Sequence, residues 1–167
     1  MALGALAEEG LRCLRLRPFN HTGPGQSEDF VVPAFAAQIA RIGRGERPPV
    51  LRVGNLEAKR DFLDVRDVVS AYLTMVEQAS AFEPGMALNV SSGTAIRIGD
   101  ILESLVRLAG VDVSIEVDPE KWRPVDIPVS YGDSGRLSAL TGWRPLFAFN
   151  DTLIAVLNRQ VTGIEQF

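Results

Sequence analysis

The chain has 167 residues, a length that favours one domain, and its 46% hydrophobic and 23% charged fractions are those of a globular protein rather than a disordered or fibrous one. A formal charge of −4 gives no electrostatic basis for nucleic-acid binding. No apolar run approaches the ~18 residues that a membrane-spanning helix needs.

The single cysteine, Cys13, excludes an internal disulfide, fits a reducing compartment and reads as a small packed hydrophobe. Residues 1–9 are rich in Ala and Leu, lack a basic leader and run into Glu8-Glu9, so they read as helix, not signal peptide. A cytoplasmic location is expected, and no metal ligands are assigned.

In chain order, Gly10 stops that first helix. Leu11 to Arg17 alternates, with Leu14 and Leu16 on one face and Arg15 and Arg17, read as salt-bridge residues, on the other. Pro18 should end pairing in this strand. Asn20, His21 and Thr22 then precede a tight Gly23-Pro24-Gly25 turn, three short polar groups at a strand's carboxyl end, where open α/β sheets bind ligands. A solvated connection is the plain alternative.

Asp29 can cap a helix from about Phe30 to Arg44, with Pro33 tolerated in the first turn. After an exposed Gly43–Pro49 loop, Val50 to Val53 reads as a strand and Gly54-Asn55 as a hairpin-type turn. Phe62-Leu63 makes a second short run. Asp64 should cap a helix Val65–Gln78 that buries Val65, Val68, Val69, Tyr72, Leu73 and Val76. Ala87 to Val90 is a compact strand stopped by Ser91-Ser92-Gly93.

The helix Ile98–Ala109 carries Ile98, Ile101, Leu102, Leu105 and Leu108 on one stripe and closes at Gly110. Val111 to Val117 reads as an edge strand. Asp118 to Asp133 holds Pro119, Pro124 and Pro128, too many for a central element. Ser134 should cap a short helix to Leu140, and Asn150 the last one, Asp151 to Val161. Trp122 and Trp143 read as packing anchors.

Five stretches of this chain together resemble one family. They are Arg17-Pro18-Phe19-Asn20-His21-Thr22-Gly23-Pro24-Gly25-Gln26, Val53 to Phe62 (with Arg60-Asp61-Phe62), Arg123-Pro124-Val125-Asp126, Gly132-Asp133, and Leu140 to Pro145. In this order they are similar to the extended short-chain dehydrogenase/reductases acting on nucleotide sugars (the NAD-dependent epimerase/dehydratase family). The likeness is greatest to the GDP-6-deoxy-4-keto-mannose reductases, with the GDP-mannose 4,6-dehydratases close behind. The resemblance implies an α/β fold: the C-terminal part of a Rossmann-like parallel sheet plus the small α/β substrate-binding domain. Residues 1–167 would then be a single substrate-binding portion.

The family's other marks are not found in the sequence. No Gly-x-x-Gly-x-x-Gly fingerprint follows a strand, and Tyr72 and Tyr131 are followed four residues later by Val76 and Gly135, not lysine. The chain therefore looks like the second half of an enzyme, catalytically inactive alone, with NADP or NAD the cofactor of the complete enzyme and none expected to bind this chain well. Self-association, or docking onto a first half, is expected.

A nucleotide sugar presents a diphosphate suited to guanidinium forks and a ribose diol suited to a carboxylate. By resemblance, Arg60 and Arg123 contact the diphosphate, Asp126 the ribose and Asn20 the sugar diphosphate. Pro18 and Phe19 line the nicotinamide; Val32, Val53, Gly54 and Asn55 wall a guanine pocket. Surface ion pairing, Arg60 with Asp61 or Asp64, is the competing role. His21, the only histidine, is given no proton-transfer role. The implied partner is a GDP-sugar. A dehydratase or epimerase fragment is the alternative within the family, and a non-catalytic binding or regulatory module the alternative outside it.

Overall fold

The computed structural model describes residues 9–10, 13–121 and 127–162. Its first strand, β1 (Arg15–Pro18), pairs in parallel with β5 (Ala87–Val90), Arg15 opposite Ala87 and Pro18 opposite Val90. Pro18 stays in the ladder, contrary to expectation. The N–H groups of Arg15 and Phe19 are the ones that reach β5, on Met86 and Val90, so the nitrogen of Pro18 falls on the other side and no bond is lost. Leu14 and Leu16 pack inward as predicted, whereas Arg15 donates to the Gly85 carbonyl at 2.7 and 3.0 Å instead of forming a salt bridge.

After β1 the chain forms β2 (Asn20–Thr22), a strand where the composition suggested only a loop. β2 lies parallel to β4 (Lys59–Asp64), with Asn20 opposite Phe62 and Thr22 opposite Asp64. The other half of β4 pairs with two short strands, β6 (Ala95–Arg97, antiparallel) and β8 (Val129–Ser130, parallel). β4 is thus a full six-residue strand, not a brief apolar run.

A third ladder joins β3 (Val50–Val53) in parallel to β7 (Ser114–Val117), which is exposed along its length. The strands flanking Gly54-Asn55 therefore do not form a hairpin. On its other side, β3 is matched by the Gln38 amide, which accepts from the Arg52 N–H at 3.1 Å and donates to the Arg52 carbonyl at 3.3 Å.

Two apolar clusters meet at β4. One joins α1 (Val31–Gly43), α3 (Ile98–Ala109) and α5 (Phe149–Thr162) to β3 and to Phe62. The α3 stripe is buried as its spacing predicts, except for Leu108 at its end, and Gly110 closes the helix at φ +64°, where a side chain would be strained.

The other cluster joins α2 (Val65–Glu77), β1, β5 and α4 (Gly135–Thr141) to Leu63 and Trp143. Here the predicted stripe is wrong. α2 buries Val68, Ala71 and Met75, while Val69, Tyr72, Leu73 and Val76 are exposed. The helix carries apolar residues on two sides, and periodicity could not say which one faces the sheet. Trp143 anchors as expected, its Nε1–H donating to Ser70 Oγ at 2.9 Å; Trp122 lies outside the described residues.

Two of the four predicted caps, Asp29 and Asn150, are displaced, and Ser134 holds the N-cap position of α4 without a side-chain capping bond. Asp29 accepts from Ser27 Oγ, and Phe30 occupies the cap of α1 without a side-chain bond. Ser134 donates to the Ser91 carbonyl, and Asp133 accepts from the Gly135 N–H. Asn150 sits inside α5. Asp64 alone caps as predicted. Among the described residues, no helix is long and apolar enough to cross a membrane.

Candidate functional site

Side chains alternate across a strand, and residues in register share a face. Arg60 and Phe62 of β4 therefore point to one side and Asp61 and Leu63 to the other. Asn20, opposite Phe62, lies on the Arg60 side. Two predicted ligand residues from distant parts of the sequence thus share a surface.

Arg60 is half-buried. Its Nη1–H groups donate to the carbonyls of Lys59 at 2.8 Å and Ile127 at 2.5 Å. Ile127 follows Asp126 directly in the chain, so the guanidinium lies against the segment that begins after the predicted Arg123 and Asp126. Those two residues lie outside the described residues. The ion pairs offered as an alternative for Arg60 are not seen, because both neighbouring carboxylates have other partners.

Asp61 is fully buried. Its Oδ1 accepts from the N–H and Oγ–H of Ser92 at 2.9 and 2.8 Å, and its Oδ2 from the N–H groups of Gly93 and Gly132 at 2.9 and 3.2 Å. Asp64, also buried, accepts from the N–H, Nε and Nη2 of Arg66 at 2.8–2.9 Å and from Thr152 Oγ1 at 2.8 Å. Burial pushes the Asp64 carboxyl up, but the Arg66 guanidinium, its backbone N–H and the Thr152 hydroxyl outweigh this and hold it below the usual aspartate range.

A third buried carboxylate, Asp67, accepts from the N–H groups of Leu146 and Phe147 at 2.8 and 3.3 Å. Arg66 also stacks on the Phe147 ring, 3.7 Å from its centre. Sequence reasoning missed Asp61 and Asp67 as structural acceptors. The available signal was slight: each carboxylate follows an arginine and directly precedes two apolar residues, Phe62-Leu63 and Val68-Val69, and one buried beside them must find several donors.

The remaining predicted positions are dispersed. Pro18 and Phe19 are half-buried at the carboxyl end of β1. His21 donates from Nδ1 to the Phe19 carbonyl at 3.0 Å, bracing this corner. Val32 and Val53 are each 1% exposed and belong to the core, so they offer a base no surface. This corrects the predicted guanine pocket, of which Gly54 and Asn55, half-buried at the end of β3, are what is left.

Two apolar cavities among the described residues are lined by none of the predicted site residues. One, of about 400 Å³, lies between Phe62, Ile96, Phe147 and Phe149. The other, of about 520 Å³, opens between Leu14, Leu16, Tyr72, Val76 and Phe82. The candidate site is instead an open face formed where β1 ends, β2 and β4 begin, and the 127–132 segment crosses.

Comparison with known proteins agrees with this architecture. Residues 5–155 match the family described as GDP-mannose 4,6 dehydratase. The chain is 41% identical over 150 residues to GDP-6-deoxy-D-mannose reductase of Pseudomonas aeruginosa, covering 90% of this chain and 48% of that protein. It is 28% identical over 131 residues to GDP-mannose 4,6 dehydratase 1 of Arabidopsis thaliana, covering 78% of this chain and 36% of the relative.

The structure of RMD from Pseudomonas aeruginosa complexed with NADPH superposes with a TM-score of 0.88 at 36% identity, over 98% of this chain and 53% of that one. The chain thus spans about half the length, or less, of the relatives it matches. With a match over nearly its whole length and a Rossmann-like α/β fold in common, the chain belongs to the GDP-mannose 4,6 dehydratase family of extended short-chain dehydrogenase/reductases.

Proposed function

We propose that this chain, as a single substrate-binding portion, is the nucleotide-sugar-binding part of an NAD(P)H-dependent reductase of GDP-4-keto-6-deoxymannose. The observation that carries this reading is the 41% identity to the Pseudomonas aeruginosa GDP-6-deoxy-D-mannose reductase, against 28% to the Arabidopsis dehydratase. The shared face of Asn20 and Arg60 supports it. Arg60 and Arg123 bind the diphosphate as charge-assisted forks, Asp126 takes the ribose hydroxyls, Asn20 reaches the sugar diphosphate, and Gly54-Asn55 border the base.

Reduction of the 4-keto group needs hydride from reduced nicotinamide and an acid for the new alkoxide. Toward the dinucleotide this chain offers the Pro18-Phe19 corner. No Gly-rich strand–loop–helix is present in the sequence to cradle its pyrophosphate. At the Pro18-Phe19 corner, the Phe19 N–H is bonded to the Val90 carbonyl at 2.9 Å, and the Phe19 carbonyl accepts from His21 with a second lone pair left over. The role assigned here is therefore to bind and orient the sugar nucleotide, and no hydride step is routed through these residues.

Titration calorimetry tests the reading. GDP or GDP-mannose should bind, free mannose should not, and Arg60→Ala or Arg123→Ala should each weaken GDP by about 1.5–3 kcal/mol, the range for a charged hydrogen bond. Wild-type protein that binds mannose as well as GDP, or binds neither, overturns it. The same reading includes association through the outer face of α2, where Val69, Tyr72, Leu73 and Val76 adjoin the larger apolar groove. A second copy would cover this face, and a separately supplied dinucleotide-binding half is the other candidate.

A further inference from the structure

The carboxylate of Asp61 accepts four hydrogen bonds, three of them from backbone N–H groups, and is 0% exposed. A buried carboxylate costs several kcal/mol unless its oxygens are matched, and here both are matched twice. What it joins is informative. Ser92 and Gly93 form the loop at the carboxyl end of β5; Gly132 closes the segment that runs from Ile127 through β8.

The preceding residue, Arg60, holds the other end of that segment through the Ile127 carbonyl. Two consecutive residues of β4, pointing to opposite sides of the strand, therefore grip one six-residue segment at both ends. The Gly132 end is fixed further, because a Cβ there would strike the Phe19 ring and Ser91 Cβ. Between these ends β8 pairs with Lys59 and Arg60, so a shift at Gly132 is carried along a braced strand to Ile127, one of the carbonyls that hold Arg60.

The geometry points to Asp61 as a positioning residue for the diphosphate contact: by fixing Gly132 and the 92–93 loop, it sets the Ile127 carbonyl and hence the direction of the Arg60 guanidinium. This inference rests on the reading of Arg60 as a diphosphate contact. Asp61 does not touch the ligand. Its effect should therefore appear only where Arg60 acts, and only while Arg60 is present.

The test measures GDP and guanosine affinity in wild type, Arg60→Ala, Asp61→Asn and the double variant. In Asp61→Asn an amide of the same shape turns a donor toward N–H groups. GDP should weaken about tenfold, the scale of one charge-assisted hydrogen bond, while guanosine, which lacks the diphosphate, should be unchanged. Adding Asp61→Asn to Arg60→Ala should weaken GDP no further.

Equal loss for GDP and guanosine, additive losses in the double variant, or undiminished GDP binding in Asp61→Asn would each overturn the proposal. Should Asp61→Asn fail to fold, Ser92→Ala removes one donor and leaves three; it should give a smaller GDP loss with the same dependence on Arg60, and independence from Arg60 counts against the proposal. Absence of GDP binding in wild type is a separate result, which removes the functional reading and this inference with it. GDP binding unchanged in Arg60→Ala leaves the family's ligand in place and removes Arg60 and Asp61 together.

Discussion

Three aspartates within seven residues, Asp61, Asp64 and Asp67, are each buried and each spent on a different task. Asp61 binds loops, Asp64 caps α2 and reaches Thr152 on α5, and Asp67 receives the backbone entering α5. Asp64 has a pH signature. Because its folded pKa is depressed, its stabilisation is complete above the unfolded value of about 3.9 and is lost as pH falls through the folded value. Asp64→Asn should cost about 1.5–3 kcal/mol at neutral pH, the range for hydrogen bonds to a charged group. In acid, wild type should lose stability more steeply than the variant. Thermal melts of both proteins from pH 7 to pH 2 make the comparison; parallel curves would show that Asp64 carries no linked proton.

At the scale of elements, α2 is where packing departed furthest from periodicity. Met75 is 3% exposed and Val76, its neighbour, 75%. Met75→Ala should therefore cost about 2–5 kcal/mol, the cost of a core truncation, and Val76→Glu less than about 0.5 kcal/mol. Chemical denaturation at low protein concentration measures both; similar losses would mean that the outer stripe is covered after all. The helices α1 and α3 were legible because each has one apolar stripe, or is apolar almost all round, so the buried side is not in question. β2, β6 and β8 were not legible: strands of two or three residues bury too few side chains for alternation to register.

For the whole molecule, the α/β class and the family were readable from separated motifs: Arg-Pro-Phe-Asn and Leu-Thr-Gly-Trp each hold a residue of special backbone geometry, and Arg-Asp-Phe sets two opposite charges before an aromatic ring. The site was readable in part. Asn20 and Arg60 meet on one face, but Val32 and Val53 were mistaken for pocket walls since an apolar residue near a ligand loop looks the same from sequence whether it lines a pocket or fills a core. The proposed association through α2 belongs to this scale. Sedimentation at micromolar concentration should show a species larger than one chain, and Val76→Glu should shift it toward monomer by placing a charge on the proposed contact. A clean wild-type monomer would count against association through that face.

The alternation of β4 also bears on which changes of chain length this protein tolerates. Phe62 enters one core, Leu63 the other, and Arg60 and Asp61 divide the same way. Inserting or deleting one codon within 59–64 would exchange these faces for the residues on one side of the change. With the pairing of 62–64 to β2 retained, an insertion between Asp61 and Phe62 would put Asp61 in the place of the guanidinium proposed to meet an anion, whereas deletion of Asp61 would carry Arg60 into the pocket of N–H donors. A two-codon insertion keeps the phase. Length variants of this strand should thus survive selection in steps of two, while the 44–48 loop, largely exposed and between α1 and β3, should accept steps of one.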